Sequence, residues 1–265
     1  MIIDFHTHVF PDKIVHKALG VLSDNSGGLE PQYDGTVDGL IKRMETDGVD
    51  ISVVMNIATN AHQMRSVNDF ACSVNNYKQK IISFGSVYPD APDALEELER
   101  LKEMGLKGVK FHLEYQNFYV DDEKMRPIYK KIGELGLITL FHAGGDLGFA
   151  PPYHCMPENA ANALKMFDSP VVFAHWGGYM AGEQVLKYLC GTDAYFDLSF
   201  GYGSVPKLTA KKIIEKHGTE KLLFGSDGPW HSPSMEYRLL NSLGLTEEEK
   251  SAIYSENALK LLDLN

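Results

Sequence analysis

Residues 137–145 read Leu-Ile-Thr-Leu-Phe-His-Ala-Gly-Gly, an apolar run that ends in a histidine and a glycine turn. A run this apolar is typical of a strand in a parallel sheet that is covered on both faces. By the two-residue alternation of a strand, His142 shares a face with Ile138 and Leu140. The segment therefore predicts a buried parallel strand with one polar residue at its carboxyl end.

Runs of this kind recur along the whole chain. Eight strands are expected, over Ile2–His6, Ile51–Ile57, Ile81–Val87, Leu106–Leu113, Leu137–His142, Val171–His175, Ala194–Leu198 and Leu222–Ser226. Eight strands in 265 residues leave about 33 residues for each unit, the size of one strand and helix of a barrel. We therefore predict an α/β fold, a (β/α)₈ TIM barrel, with residues 1–265 as a single domain.

The strands of an open parallel sheet would have the same apolar pattern as those of a barrel. Polar residues at the strand ends distinguish the two folds. His6, His112, His142, His175 and Asp227 all fall at or just beyond the carboxyl ends of different predicted strands. Barrel enzymes build their active sites at this end. The pattern favours the barrel and predicts where its site lies.

The segments between the strands predict outer helices and one long loop. Asp93–Met104 and Asp121–Leu135 carry apolar residues on one stripe, and each is followed by a glycine, Gly105 or Gly136, that can end a helix in the left-handed conformation. Residues 20–36 are rich in glycine, and we expect them to form a long loop that acts as a lid or binding loop, with a disordered segment as the alternative.

Composition excludes several classes of partner. Thirty-six acidic and 25 basic residues give a formal net charge of −11, which would repel nucleic-acid phosphates and anionic lipid surfaces. The cysteines Cys72, Cys155 and Cys190 are too widely spaced for a disulfide framework, and the first residues carry no signal-peptide or anchor pattern. We expect a cytoplasmic protein with a small-molecule substrate and no nucleic acid or membrane partner, and we leave a homo-oligomer open.

Four strand-end residues predict a divalent-metal site. His6 and His8 end the first strand on one face, like a two-tooth chelate, although two surface histidines would give the same pattern. His142 would face the barrel interior unless it is an ordinary core histidine. Asp227 would lie beside the first strand unless it only forms the turn before Gly-Pro. Three imidazoles and one carboxylate suit Zn²⁺, and Mn²⁺, Fe²⁺, Co²⁺ or Ni²⁺ could bind the same set.

Three further residues at the strand ends have more than one interpretation. His175 would polarise substrate and move protons, or bind a second metal. Lys110 could be carbamylated between two metals, bind a substrate carboxylate as an ammonium, or form a structural ion pair. His112 shares a face with Lys110 and is either a site group or a hydrogen-bond donor to a loop.

Substrate-binding candidates follow the same strands. Trp176 and Trp230 are close in sequence to predicted ligands and could form pocket walls, although core packing explains them equally well. Arg65 could contact an anionic substrate or simply lie in solvent.

The ordered motifs resemble the metal-dependent amidohydrolase superfamily, in particular its amidohydrolase-2 branch, which includes aminocarboxymuconate-semialdehyde decarboxylase-like enzymes. The matching segments are Ile3-Asp-Phe-His-Thr-His8, Gly108-Val-Lys-Phe-His112, Leu140-Phe-His-Ala143, Val172-Phe-Ala-His-Trp176 and Leu223-Phe-Gly-Ser-Asp-Gly-Pro229. The resemblance implies a distorted (β/α)₈ barrel in which His6, His8, His142 and Asp227 hold one metal ion and His175 handles protons nearby.

The leading hypothesis for function is a metal-dependent hydrolase in which metal-activated water attacks an amide, ester or lactone carbonyl of a small molecule. In this hypothesis Asp227 and His175 are the catalytic residues. One alternative is nonoxidative metal-dependent decarboxylation of a small unsaturated or aromatic acid. The other is a metal-binding barrel without turnover.

Overall fold

The apolar runs form eight strands in the computed structural model, which describes residues 1–264. The strands are β1 (Ile3–Thr7), β2 (Ile51–Met55), β3 (Ile81–Phe84), β4 (Gly108–Phe111), β5 (Ile138–Phe141), β6 (Val171–Phe173), β7 (Tyr195–Asp197) and β8 (Leu222–Leu223). They pair in parallel with their sequence neighbours in two runs, β1 to β3 and β4 to β8. All eight predicted strands are confirmed.

Two junctions close these runs into a barrel. Between β3 and β4, the Gly85 amide donates to the Gly108 carbonyl at 3.0 Å. Between the ends of β8 and β1, the Asp227 amide donates to the His6 carbonyl at 2.8 Å. The predicted (β/α)₈ TIM barrel is confirmed, and its distortion lies at these junctions, where regular pairing is reduced to isolated bridges.

Helices follow the strands around the outside of the barrel. They are α1 (Val15–Asn25), α2 (Val37–Asp47), α3 (Ala61–Val74), α4 (Ala94–Glu103), α5 (Leu113–Gln116), α6 (Arg126–Glu134), α7 (Pro157–Ala163), α8 (Gly182–Gln184), α9 (Lys207–His217), α10 (Pro233–Asn241), α11 (Glu247–Ser251) and α12 (Asn257–Leu262). Within residues 1–264, no helix is both long enough and apolar enough to cross a bilayer.

The helix predicted over Asp93–Met104 is confirmed as α4. The helix predicted over Asp121–Leu135 is confirmed only from Arg126, as α6, because a 3-10 turn over Glu123–Met125 precedes it, and a glycine follows the end of both helices. Gly105 and Gly136 have φ values of +75° and +62°, in the left-handed region. One residue further on, the Leu106 amide donates to the Leu101 carbonyl at 3.1 Å, which pairs a carbonyl at the helix end.

The loop predicted over 20–36 is wrong in its first part, because α1 continues to Asn25. Val15 and Leu19 anchor this helix with only 2% and 8% of their surfaces exposed. Gly20, which favoured the loop, lies on an open side of the helix, where no atom comes within 4 Å of an added Cβ. A glycine at this position costs about 1 kcal/mol of helix stability, which the burial of the two apolar side chains outweighs.

Apolar side chains form a core on both sides of the sheet. Ile138 and Leu140 belong to a buried cluster inside the barrel, which Ala258 and Leu262 of α12 complete. On the other face of three adjacent strands, Phe111, Phe141 and Phe173 stack with ring centroids 5.4 and 5.8 Å apart. The strand ends that carry the polar residues are therefore held by packing from both faces.

Candidate metal centre

His6 and His8 at the end of β1 have their ring tautomers fixed by neighbouring acceptors. Nδ1 of His8 lies 2.9 Å from the Met55 carbonyl oxygen, which can only accept, so this nitrogen carries the proton. Nδ1 of His6 lies 2.9 Å from the Asp197 carboxylate and donates to it in the same way. The hydrogen-bond partners therefore assign an unprotonated Nε2 to both rings, which is the form that a metal ligand takes.

Asp227 brings a carboxylate to these two nitrogen atoms. Its Oδ1 lies 3.2 Å from Nε2 of His8 and 3.4 Å from Nε2 of His6. Three lone-pair donors at this separation repel one another unless a cation or a proton lies between them. Ligands about 2.0–2.1 Å from a tetrahedral ion are about 3.4 Å apart, so the donor set fits a divalent cation.

The surroundings hold His6 neutral and Asp227 ionised. Burial and the nearby Lys110 ammonium lower the pKa of His6 well below its ordinary value. Burial opposes the charge of Asp227, yet its polar surroundings, which include the Lys110 ammonium, hold the pKa of this carboxyl below its ordinary value. Metal binding requires these protonation states, because protons compete for the same lone pairs.

Lys110 projects from β4 toward the same donor group. Its Nζ lies 3.3 Å from Nε2 of His6, and the side chain is buried. Burial lowers the pKa of Lys110 to about 8, so the amine is mostly protonated at pH 7. The site therefore contains a buried ammonium beside its three donor atoms.

His142 contacts His175 rather than the three-donor group. Its Nε2 lies 3.0 Å from the Gly145 carbonyl oxygen and so carries the proton, which leaves Nδ1 as an acceptor 3.1 Å from Nε2 of His175. The His175 ring stacks on His6 with centroids 5.2 Å apart. The structure thus brings together His6, His8 and Asp227 as one cluster. The ring of His175 lies between this cluster and His142, the fourth predicted ligand.

His112 and Asp146 form a second cluster with His142. The His112 ring stacks on His142 at 4.2 Å, and Oδ2 of Asp146 lies 3.3 Å from Nε2 of each ring. Burial opposes ionisation of Asp146, but the hydrogen bond from His112 and the electrostatic interaction with the N–H group of His142 hold its pKa below its ordinary value. This carboxylate fixes the orientation of both rings.

These groups lie in a cavity of about 720 Å³. The predicted site residues that line it are His6, His8, Lys110, His112, His142, His175, Asp227 and Trp230. The aromatic side chains that line the same cavity include Tyr115, Tyr179, Phe200 and Trp230. Tyr179 and Phe200 meet edge to face at 5.4 Å.

Two residues predicted to bind substrate lie elsewhere. Trp176 is buried in the hydrophobic core and does not line this cavity. Arg65 is exposed on α3, with its side chain outside the cavity lining. These positions match the alternative interpretations, in which Trp176 packs in the core and Arg65 lies in solvent.

Sequence analysis missed three polar residues of the site. Asp197 accepts a hydrogen bond from Nδ1 of His6. The Ser199 hydroxyl donates to Asp197, and its oxygen lies 2.9 Å from Nδ1 of His175. Asp197 ends β7 and Ser199 follows it closely, so the rule that selected the other strand-end residues would have found them. Asp146 follows the glycine turn after β5, and nothing in its local sequence indicates its partners.

A family model described as amidohydrolase matches residues 3–264. No curated protein matches the chain.

Solved structures share the fold. A 2,6-dihydroxybenzoate decarboxylase, solved with 2,6-dihydroxybenzoate, is 16% identical, with a TM-score of 0.77 and 99% of each chain covered. The 5-carboxyvanillate decarboxylase from Sphingomonas paucimobilis is 16% identical, with a TM-score of 0.74 and coverage of 99% of this chain and 98% of that one. A dihydroxybenzoic acid decarboxylase from a Polaromonas species, solved with manganese and 2-nitroresorcinol, is 16% identical, with a TM-score of 0.75 and coverage of 100% and 97%.

Proposed function

The chain belongs to the amidohydrolase family, and from this premise we propose that it is a metal-dependent enzyme that removes carbon dioxide from a small aromatic or unsaturated acid without oxidation. From the sequence, hydrolysis was the leading hypothesis and decarboxylation an alternative. The three decarboxylases with this fold support decarboxylation over hydrolysis. The observation on which the proposal mainly rests is the charge of the site.

The charge of the donor group favours an anionic substrate. His6 and His8 are neutral ligands and the charge of Asp227 is offset by the Lys110 ammonium, which lies 3.3 Å from Nε2 of His6. A divalent cation held by His6, His8 and Asp227, with His142 as the predicted fourth ligand, would add positive charge that binds and polarises a carboxylate. A neutral amide or ester would not use the second cationic group, Lys110.

The cavity walls suit a flat ring. Tyr179, Phe200 and Trp230 present aromatic surface close to the donor group. Aromatic rings pack edge to face or offset on one another, which orients a planar acid as well as holding it. This wall supports an aromatic or conjugated substrate over a flexible one.

Decarboxylation requires the transfer of one proton to the substrate inside this cavity. The bond between the ring carbon and the carboxylate breaks, its electron pair stays on the carbon, and the carbon takes a proton as carbon dioxide leaves. His175 holds a proton at Nε2, because Nδ1 of His142 can only accept there. Solvent water supplies this proton, and its hydroxide leaves with carbon dioxide as bicarbonate. We assign the relay to Asp227 and to His175, which passes on the proton at Nε2 as it takes another at Nδ1.

A substrate panel tests the proposal. The metal-loaded chain, with Zn²⁺ and Mn²⁺ in parallel, is incubated with 2,6-dihydroxybenzoate, 5-carboxyvanillate, other hydroxybenzoates and a set of amides, esters and lactones. We expect carbon dioxide from an aryl acid. Asp227→Asn and His175→Gln should each lower the rate at least about 100-fold. Asp193→Asn, at an exposed carboxylate, is the matched control and should leave the rate unchanged.

Two outcomes would contradict decarboxylation. Cleavage of an amide, ester or lactone without carbon dioxide release would restore the hydrolase hypothesis. Metal binding without turnover of any compound in the panel would favour the non-catalytic barrel.

A further inference from the structure

The cavity extends well beyond the donor group. His6 and Asp227 are buried, with 1% and 8% of their surfaces exposed, whereas Ile14 and Val21 line the same cavity and are 51% and 50% exposed. The buried donors therefore form the floor of the cavity, and side chains of α1 and the residue before it form its mouth.

Two helix faces give the mouth an apolar wall. One stripe of apolar side chains comes from α1 and the residue before it, and a second comes from α3. Together they form what we call the outer chamber, which consists of Ile14, Ala18, Val21, Leu22, Val67 and Phe70. Residues three, four and seven positions apart lie on one face of a helix, so each stripe presents a continuous apolar surface. Half-exposed apolar side chains gathered at a cavity indicate a ligand surface.

Some polar groups along this wall are paired within the chain, and others are exposed. Oε1 of Gln63 accepts from the Thr59 hydroxyl at 2.9 Å, and the Ser66 hydroxyl donates to the Gln63 carbonyl at 2.9 Å. Lys17 and Asn25 also line the cavity, and both are exposed. The six side chains of the outer chamber themselves offer only apolar contact.

We propose that the outer chamber binds an apolar substituent of several carbon atoms on the ring of the acid substrate. That the carboxylate of this substrate binds at the floor of the cavity rests on the proposed function. Pockets of about 300–1,000 Å³ hold drug-sized ligands, and a cavity of about 720 Å³ exceeds what a bare ring acid fills. A substituent would cover Ile14 and Val21, which are otherwise in contact with water.

Binding of 4-alkylbenzoates tests this inference without requiring turnover. Dissociation constants of benzoate and its 4-methyl, 4-ethyl, 4-propyl and 4-butyl derivatives are measured by calorimetry on the full chain, with and without Mn²⁺. Each methylene that leaves water should lower Kd about fourfold, the ratio that corresponds to about 0.8 kcal/mol. The gain should end once the chain reaches the outer edge of the chamber.

Three variants locate the effect. Val21→Asp should lower the gain per methylene, and Ala18→Phe should fill the chamber and weaken binding of 4-butylbenzoate while leaving benzoate unchanged. Leu208→Asp changes another exposed apolar residue, 66% exposed and outside the cavity, and should leave every Kd unchanged.

The outcomes separate this inference from the proposed function. A Kd independent of alkyl length, or equal effects of Val21→Asp and Leu208→Asp, would overturn the inference even if carbon dioxide release is found. A length-dependent Kd lost in Val21→Asp and Ala18→Phe would support the outer chamber even if every aryl acid proves inert, in which case the proposed function alone fails.

Discussion

Nδ1 of His6 lies 2.9 Å from Oδ2 of Asp197, so a carboxylate on the seventh strand orients a predicted metal ligand on the first. The other oxygen of Asp197 accepts from the backbone amides of His175, at 3.2 Å, and Ser199, at 3.1 Å. One buried carboxylate thus fixes the tautomer of His6 and the backbone beside His175.

Replacing this carboxylate should weaken metal binding. The carboxylate has two acceptor oxygens, whereas the amide introduced by Asp197→Asn has one, so it cannot serve both His6 and the backbone amides. We expect a 10- to 100-fold loss of metal affinity, which is about the loss seen when the hydrogen-bond partner of a metal-ligating histidine is removed. Titration against a competing chelator measures it, on samples that unfold cooperatively.

Asp193→Asn, at an exposed carboxylate shortly before β7, is the control and should keep wild-type affinity. Unchanged affinity in Asp197→Asn would show that the carboxylate does not orient a ligand.

Lys110 should bind anions at the floor of the cavity. Lys110→Met removes the ammonium but keeps an unbranched apolar side chain, and it should raise the Kd of 4-methylbenzoate about 10- to 100-fold, the range of a charge-assisted hydrogen bond. Calorimetry on the metal-loaded chain measures this change. Lys102→Met, on the exposed side of α4, should have no effect. Equal affinity in wild type and Lys110→Met would remove the anion-binding role from this residue.

His217 should make stability depend on pH. Its Nδ1 accepts from the Gly191 amide at 3.1 Å and its Nε2 donates to the Ala194 carbonyl at 3.0 Å, so the neutral ring is fully paired. Burial lowers the pKa of His217 in the folded chain, whereas the unfolded chain takes up the proton near pH 6.5. The stability that His217 contributes is therefore present above about pH 6.5 and falls as the pH drops below it.

Urea unfolding at pH 8 and pH 5 tests this dependence. The difference in unfolding free energy between wild type and His217→Gln should be larger at pH 8. His16→Gln, at an exposed histidine, is the control and should change the unfolding free energy little. A difference for His217→Gln that stays constant or grows toward pH 5 would contradict the assignment.

Phe141 should be a main contributor to the stability of the barrel. Its ring lies between Phe111 and Phe173, at 5.4 and 5.8 Å, and is fully buried. Phe141→Ala should lower the unfolding free energy by about 3–5 kcal/mol, through lost burial and the cavity left behind. Met180→Ala, at a side chain that is 76% exposed, should change it by less than about 0.5 kcal/mol. Similar values for the two variants would show that the stacked rings are not a packing centre.

Sequence alone predicted the strands and the positions of the polar residues at their ends. Runs such as Leu137–His142 are apolar on both faces because the sheet is covered on both sides, and this pattern is local. The helix α1 was misjudged because Gly20 weakens the local helix signal, while burial of Val15 and Leu19 depends on the rest of the fold.

The partners of the site residues could not be predicted in the same way. Contact between Asp197 and His6 joins residues 191 positions apart, and no local pattern specifies such a pair. The orientation of His142 depends on the Gly145 carbonyl, 3.0 Å from Nε2, and therefore on the shape of the turn after β5. Residue type and strand position predicted membership of the site, whereas the contacts depend on the packed barrel.

Metal stoichiometry is the most direct test of the central claim, that His6, His8 and Asp227 hold a divalent cation. The chain is loaded with Zn²⁺ or Mn²⁺, freed of excess metal by gel filtration and analysed by mass spectrometry of the elements, beside His8→Asn and Asp227→Asn. We predict about one equivalent per chain in the wild type and less than about a tenth of that in both variants. A wild-type chain that retains no metal, or variants that retain as much as the wild type, would contradict the account.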